Sequence, residues 1–489
     1  MRPSFSWPVT GLALFHFATP GAAQEPLDLA MTARIREEGL QRSQALDLYL
    51  TLSDELGARL TGSPAHRAAA EWARDRFAEW GLSEPRLEPF EFGRGWSLEK
   101  LSVEMTSPRY MPLIAYAEAW TPSVEGVLTG RAVYVGDSTL EEIDAMGAAL
   151  QGAIVLTRQP QTRFFDEDRP QPGLADSVRT GNPPGIPVTS AAPAAQVTAR
   201  LREAGAGVTL RPSAYRDGTV GVGGSRTTPN DAVPSIVLAA EQYNMLARLA
   251  DDGVPVELRI ELRTQYHEDD LNSYNVLAEI PGTDPALADE IVLIGGHLDS
   301  WHASNGATDN GDGAVAAMEA MRILAAVGAQ PRRTIQVALW SGEEQGLLGA
   351  RAYLEQHLPD EAARDRLSVF LNDDPGSGAT LGVYMQGNAA AKEIFDAWLE
   401  PLRDLGITRN VIEGIGSTDH VPFDDLGLPA FTVIKDFDAY DARTRHTNAD
   451  FPERMTEEEL QQSAIFLAHF AWQAAQRDER IPRVEGAGL

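Results

Sequence analysis

The chain has 489 residues, 43% hydrophobic and 23% charged, ordinary globular values with room for two or three units that each bury a core. Its 71 acidic residues against 41 basic ones give a formal charge of -30, which would repel a phosphate backbone or an anionic bilayer, so neither nucleic acid nor a lipid surface is an expected partner. The absence of cysteine excludes disulfides, thiolate metal sites and a cysteine nucleophile, and leaves histidine and carboxylate to hold any metal.

The first residues, MRPSFSWPVTGLALFHFATPGAAQEP, place Arg2 before an apolar stretch around Val9 to Phe17 and small residues Gly21 to Ala23 before Gln24. That order predicts a signal peptide over 1–23 and an exported protein, secreted or periplasmic. No later stretch reaches about 18 apolar residues, so no membrane span is expected. Residues 27–56 read as helical. The segment SPAHRAAAEWARDRFAEWGL, 63–82, opens on Ser63-Pro64 and stops at Gly81, with Ala69, Trp72, Ala73, Phe77 and Trp80 recurring at helical steps.

Between 121 and 262 the texture changes to short β-type runs such as RAVYVG and GAIVLT, with the polar, proline-rich stretch QPQTRFFDEDRPQPG and a helix-like AAQVTARLREAGA. This predicts a separate compact module, and without a histidine cluster it reads as a lid or spacer. After 270, strands and helices alternate: SYNVLAEI, EIVLIGG, a helix from about Gly313 to Val327, TIQVALW, a helix from about Gly346 to His357, and LSVFLN. A helix over 389–405, a strand PAFTVI and a last helix follow, the last opened by Thr456 with Glu459 at capping-box spacing and striped by Leu460, Ala464, Leu467 and Ala471. Unbroken apolar strands alternating with helices predict an α/β sheet covered on both faces.

Each polar cluster of this half follows a predicted strand. His297, Asp299 and Asp309 come after EIVLIGG, Glu343 and Glu344 after TIQVALW, and Asp373 and Asp374 after LSVFLN. Ligands bind at the carboxyl ends of strands in such sheets, so these groups should converge. Converging carboxylates repel one another and lose hydration unless cations neutralise them. Histidine with Asp or Glu suits a divalent metal such as zinc, and two ions are more natural than one because a single Asp can bridge metals roughly 3.5 to 4 Å apart.

HLDS at 297–300, TDNGDGA around Asp309, SGEEQGLLGA at 341–350, NDDPG at 372–376, STDHVPF at 417–423 and RHTNAD at 445–450 together resemble the motifs of the M28 zinc metallopeptidases, with HLDSW and EEQG phrased as in the carboxypeptidase Q branch. The resemblance covers roughly 30–120 and 263–480, and the 121–262 module is similar to a protease-associated domain. It implies an α/β fold with a mixed, mostly parallel central sheet and helices on both faces, as in zinc exopeptidases. The implied peptidase domain spans 24–120 and 263–489, interrupted by a β-rich insert over 121–262.

The resemblance further implies two zinc ions per chain. His297 and Asp374 would hold one, Glu344 and His446 the other, and Asp309 would bridge them. Asp373 remains an alternative to Asp374. Glu343 would be the general base that activates a water between the ions, with Asp299 supporting His297. Ser417, Thr418, Asp419 and His420 would line the substrate side. Asn310 departs from the family, many of whose members have a second Asp there. His302 and His420 lie beside ligand motifs and are candidates for the pocket or its support, whereas His66, His267, His357 and His469 read as structural.

The implied activity is a secreted exopeptidase acting on short peptides, foremost as an aminopeptidase. The alternatives are a dipeptidase or carboxypeptidase of the carboxypeptidase Q type, a single-zinc glutaminyl cyclase, or a non-catalytic binding protein. Nothing in the sequence points to a particular oligomeric state.

Overall fold

The strand Ile291–His297 is buried along its whole length, and its side chains divide between two cores. Val292 and Ile294 pack with the helices Asp312–Ala326 and Glu457–Gln476, whereas Ile291 and Leu293 pack with Leu348–His357 on the other side. The period of two along a strand thus explains why the run is apolar throughout: helices cover both faces. The structure is a computed structural model and describes residues 25–173, 192–374 and 376–484; the signal peptide expected over 1–23 lies outside the described residues.

The central sheet runs Ser83–Glu91, Asn272–Ile280, Thr334–Trp340, Ile291–His297, Leu367–Asn372, Ala430–Lys435, Thr380–Tyr384, Arg409–Val411. Its middle is parallel: Ile291–His297 pairs with both Thr334–Trp340 and Leu367–Asn372, and the latter with Ala430–Lys435. Antiparallel pairs flank this centre. Because the central strands run the same way, the loops after His297, Trp340 and Asn372 leave from one edge.

The helix signals correspond to real caps. Ser63 accepts the His66 N–H at the start of Pro64–Glu79, which buries Ala69, Ala73 and Phe77, with Trp72 and Trp80 packed partly buried on the same core. Thr456 and Glu459 form the reciprocal capping box of Glu457–Gln476. The helical stretch expected over 27–56 comes as consecutive pieces: Leu29–Gln41 ends before Ser43, whose hydroxyl accepts the Ala45 N–H and starts Ala45–Leu50, followed by a π turn over Thr51–Glu55. No described helix is long and apolar enough to cross a membrane.

A second sheet runs Met111–Pro112, Gly95–Ser107, Glu257–His267, Val127–Tyr134, Ile154–Leu156, Val208–Pro212, Ser235–Leu238, Ala115–Ala117. It reaches past 121–262 on both sides, because Gly95–Ser107 and Glu257–His267 form a long antiparallel ribbon at its heart. Its core, built on Trp96, Met105, Leu258 and Ile260, also takes in Trp301 and Ala303 from the loop that follows His297. The two sheets therefore meet beside the carboxyl ends of the central strands.

Candidate metal centre

His297 terminates its strand and is 1% exposed. Its Nδ1–H donates to the Asp299 carbonyl at 2.9 Å, and Nε2 faces Asp309 Oδ1 at 3.4 Å and Asp374 Oδ1 at 3.8 Å. Asp309 sits in the π turn Ala307–Gly311, next to a cis peptide to Asn310. The Asp450 carboxylate fixes that turn by accepting the N–H groups of Thr308 and Asp309 and the Thr308 hydroxyl. Of the two aspartates left open by the sequence, Asp374 joins the cluster. Asp373 turns away to Lys435 at 3.0 Å, and Lys435 also reaches Asp312 at 3.4 Å.

On the other side of Asp309, His446 Nε2 lies 3.3 Å from Asp309 Oδ2 and 2.9 Å from Glu344 Oε2. The Trp301 indole N–H donates to the same Glu344 oxygen at 2.8 Å. Two groups result, His297–Asp309–Asp374 and Asp309–Glu344–His446, with the candidate ligand atoms of each within 4.8 Å of one another and Asp309 common to both. Glu343 belongs to neither group, yet it lines the same cavity, its carboxylate 4.0 Å from His297 Nε2. The backbone N–H groups of Glu343 and Glu344 both point to the Asp299 carboxylate, at 3.3 and 3.4 Å, and Thr61 donates to it as well. Asp299 thus braces the 343–344 turn as well as His297.

These residues fit divalent cations. Asp309 Oδ2, Glu344 Oε1 and Asp374 Oδ1 are buried without a hydrogen-bond partner among the described residues, a costly state for acceptors unless a cation meets them. Burial raises the carboxyl groups of Glu343 and Glu344 well above the carboxylate range, and that of Asp374 above it, with His297 opposing each rise. Asp309 is held low instead: burial works against it, but its bond to His297 and the nearby His446 prevail. Burial, then Arg445, push His446 down to about 4, so its imidazole is neutral and able to ligate at neutral pH. Nitrogen and carboxylate oxygen donors without thiolate are a zinc-type set. The cavity among them is about 30 Å³, enough for ions and water and too small for a peptide residue, which must lie across its mouth.

Of the loop expected on the substrate side, Ser417 lines the cavity. Thr418, Asp419 and His420 are buried behind it: Thr418 bonds Asn372 and supports Asp374, and His420 bonds the Ile415 carbonyl. His302 bonds the Ala117 carbonyl and packs on Trp96, tying its loop to the second sheet. His66, His267, His357 and His469 engage Ser341, Ser97, Glu88 and the Trp398 carbonyl in structural contacts. Arg169, Tyr440 and Arg445 also line the cavity and were not singled out in the sequence. Arg445 had a signal in its place directly before His446; Arg169 had none, since it comes from the proline-rich stretch between 159 and 173.

Fold and site together define a zinc metallo-exopeptidase. Residues 275–471 match the model of peptidase family M28. It is similar to carboxypeptidase Q of Homo sapiens, with 24% identity across 91% of this chain and 88% of that protein. Among solved structures it resembles a peptidase M28 precursor from Shewanella amazonensis, with TM-score 0.69 and 24% identity over 93% of this chain and 98% of that one. It also resembles a zinc aminopeptidase from Bacillus subtilis, with TM-score 0.61 and 17% identity over 91% and 98%.

Proposed function

We propose that the chain is an exported di-zinc exopeptidase that trims short peptides, foremost from their amino ends. His297 and Asp374 would hold one ion and Glu344 and His446 the other, with Asp309 shared. The observation that carries this reading is the pair of His–carboxylate groups joined through Asp309, with Glu343 left over in the same cavity. Bound there, zinc would supply Lewis acidity toward the scissile carbonyl and toward the attacking water.

The chain's own residues account for the proton. Burial alone favours the uncharged form of Glu343, and cations bound among the neighbouring carboxylates would bring it back to a carboxylate, able to take a proton from water and return it to the departing amine. Asp299 anchors the Glu343 N–H, so the carboxylate approaches from a fixed direction. The Asp299 carbonyl keeps the His297 proton on Nδ1, and Trp301 excludes water from one side of Glu344 while donating to it.

A second reading, a dipeptidase or carboxypeptidase-type preference, is favoured by Arg445. Its guanidinium lines the cavity, and among the described residues it has no hydrogen-bond or ion-pair partner. A substrate carboxylate one residue beyond the scissile bond would be a natural partner for it. Hydrolysis of matched peptides with free and blocked termini by zinc-loaded protein tests both readings. Loss of cleavage on amino blocking supports the aminopeptidase; indifference to it, with loss on carboxyl blocking, replaces that reading with the second. Amino-terminal sequencing of protein recovered from the periplasm or medium tests export, with Gln24 the expected first residue.

A further inference from the structure

The two halves of the centre rest on different parts of the molecule. His297 ends a strand of the central sheet, and Asp374 lies just past the end of its neighbour Leu367–Asn372. His446 has no such support. It lies in segment 436–448, where Phe437, Ala439 and His446 adopt φ of 71°, 65° and 58°, a left-handed backbone that side chains with a Cβ disfavour. Contacts from elsewhere must hold that shape.

The unit built on the second sheet supplies them. The Asp168 carboxylate accepts the Ala439 and Ala442 N–H groups at 2.7 and 3.0 Å. Arg169 grips Asp441 through two bonds of 2.6 and 2.5 Å, with side chains 4% and 0% exposed, while its guanidinium lies 5.0 Å from the Phe437 ring. The Tyr215 hydroxyl donates to the Arg445 carbonyl, and the Val222 N–H donates to the carbonyl of His446 itself at 2.8 Å. Glu344 is tied to the same unit. Trp301, which donates to it, packs in the core of the second sheet at 6.4 Å from the Trp120 ring.

We propose that the second-sheet unit is a working part of the metal centre: Asp168, Arg169 and Trp301 are positioning residues for His446 and Glu344, while His297 and Asp374 stand without them. This rests on the di-zinc reading above. It replaces the role of lid or spacer with that of a template for one of the two ion sites.

The test is zinc binding by the full chain, followed by equilibrium dialysis after chelation and metal counting. Arg169→Met combined with Asp441→Asn removes both charges, so neither is left buried alone. The expected result is a first ion bound as in wild type and a second weakened on the order of 10- to 100-fold, the usual effect of losing an outer partner of a ligand. Glu118→Gln with Arg211→Met breaks a half-buried pair within the same unit that makes no hydrogen bond to the described residues of 436–448, and should keep both ions. Trp301→Phe, which retains the ring and loses the N–H, should weaken the second ion in the same direction and decides the matter if the double variant does not fold. Two ions held at wild-type affinity in these variants, or parallel loss of both, would overturn the inference while leaving the di-zinc reading intact. Uptake of a single ion by the wild type would overturn that reading and this inference with it.

Discussion

Glu343→Gln isolates the proposed base from the proposed ligands. The substitution keeps the shape of the side chain and leaves untouched the Glu343 N–H that Asp299 accepts. Glu343 is outside both His–carboxylate groups, so zinc uptake should be unchanged. A general base contributes a factor of about 10² to 10⁴, so kcat should fall by that factor, roughly 3 to 5 kcal/mol of barrier, with KM little altered. Burial that raises the Glu343 carboxyl well above its ordinary range favours its uncharged form, so an amide there should not lower the thermal unfolding midpoint. The assay is steady-state hydrolysis of a dipeptide beside metal analysis of the same preparation. A kcat within tenfold of wild type with both ions present would remove Glu343 from the base role, and loss of an ion would make it a ligand instead.

Asp309→Ala should abolish stoichiometric uptake of both ions, since Asp309 alone is common to the two groups; uptake of one ion at wild-type affinity would contradict the shared role. Arg445→Ala should raise KM about tenfold or more for dipeptides with a free carboxylate and leave amidated ones unchanged, the loss of one charge-assisted bond; equal effects on both would place the substrate carboxylate elsewhere. His469 is buried between Thr32 and the Trp398 carbonyl, and burial lowers it to about 4. The unfolded chain therefore binds a proton there that the folded chain refuses. The stability this neutral imidazole contributes is present above about pH 6.5 and lost toward pH 4, about 3 kcal/mol in all. Urea titrations at pH 7 and pH 5 should show a smaller acid loss for His469→Gln than for wild type.

What was legible in the sequence follows from burial. Strands covered on both faces must be apolar throughout, so EIVLIGG, TIQVALW and LSVFLN stand out, and polar groups directly after them mark the sheet edge where ligands converge. Ser83–Glu91 does not stand out, because as an edge strand it carries prolines and charges and buries only Phe90 fully. Thr380–Tyr384 is short and broken by Gly382, which is required there: a Cβ would meet the Arg409 carbonyl oxygen at 1.4 Å. In the site, the ligands show themselves by their place after strands. Arg169 does not, because its position depends on a docking between two sheets that no local pattern encodes.

That docking raises a question of cause that amide exchange can answer: whether ions order segment 436–448 or the segment is ordered before they arrive. If the second-sheet unit holds it, chelation should leave the backbone bonds across the junction closed. The reporters are the Val222 N–H to the His446 carbonyl at 2.8 Å and the Asn448 N–H to the Val220 carbonyl at 3.1 Å. Removing the ions does lower global stability, by about 2.7 kcal/mol for each site that had been held at a hundredfold excess over its dissociation constant, because zinc binds the folded chain alone. Protection at these two amides should fall no further than that global change, since local opening would have to break the Asp168 and Arg169 contacts as well. Selective loss of protection at Val222 and Asn448 in chelated protein, with the central strands still protected, would mean that the ions and not the second-sheet unit shape the half-site, and that His446 is recruited by the metal it binds.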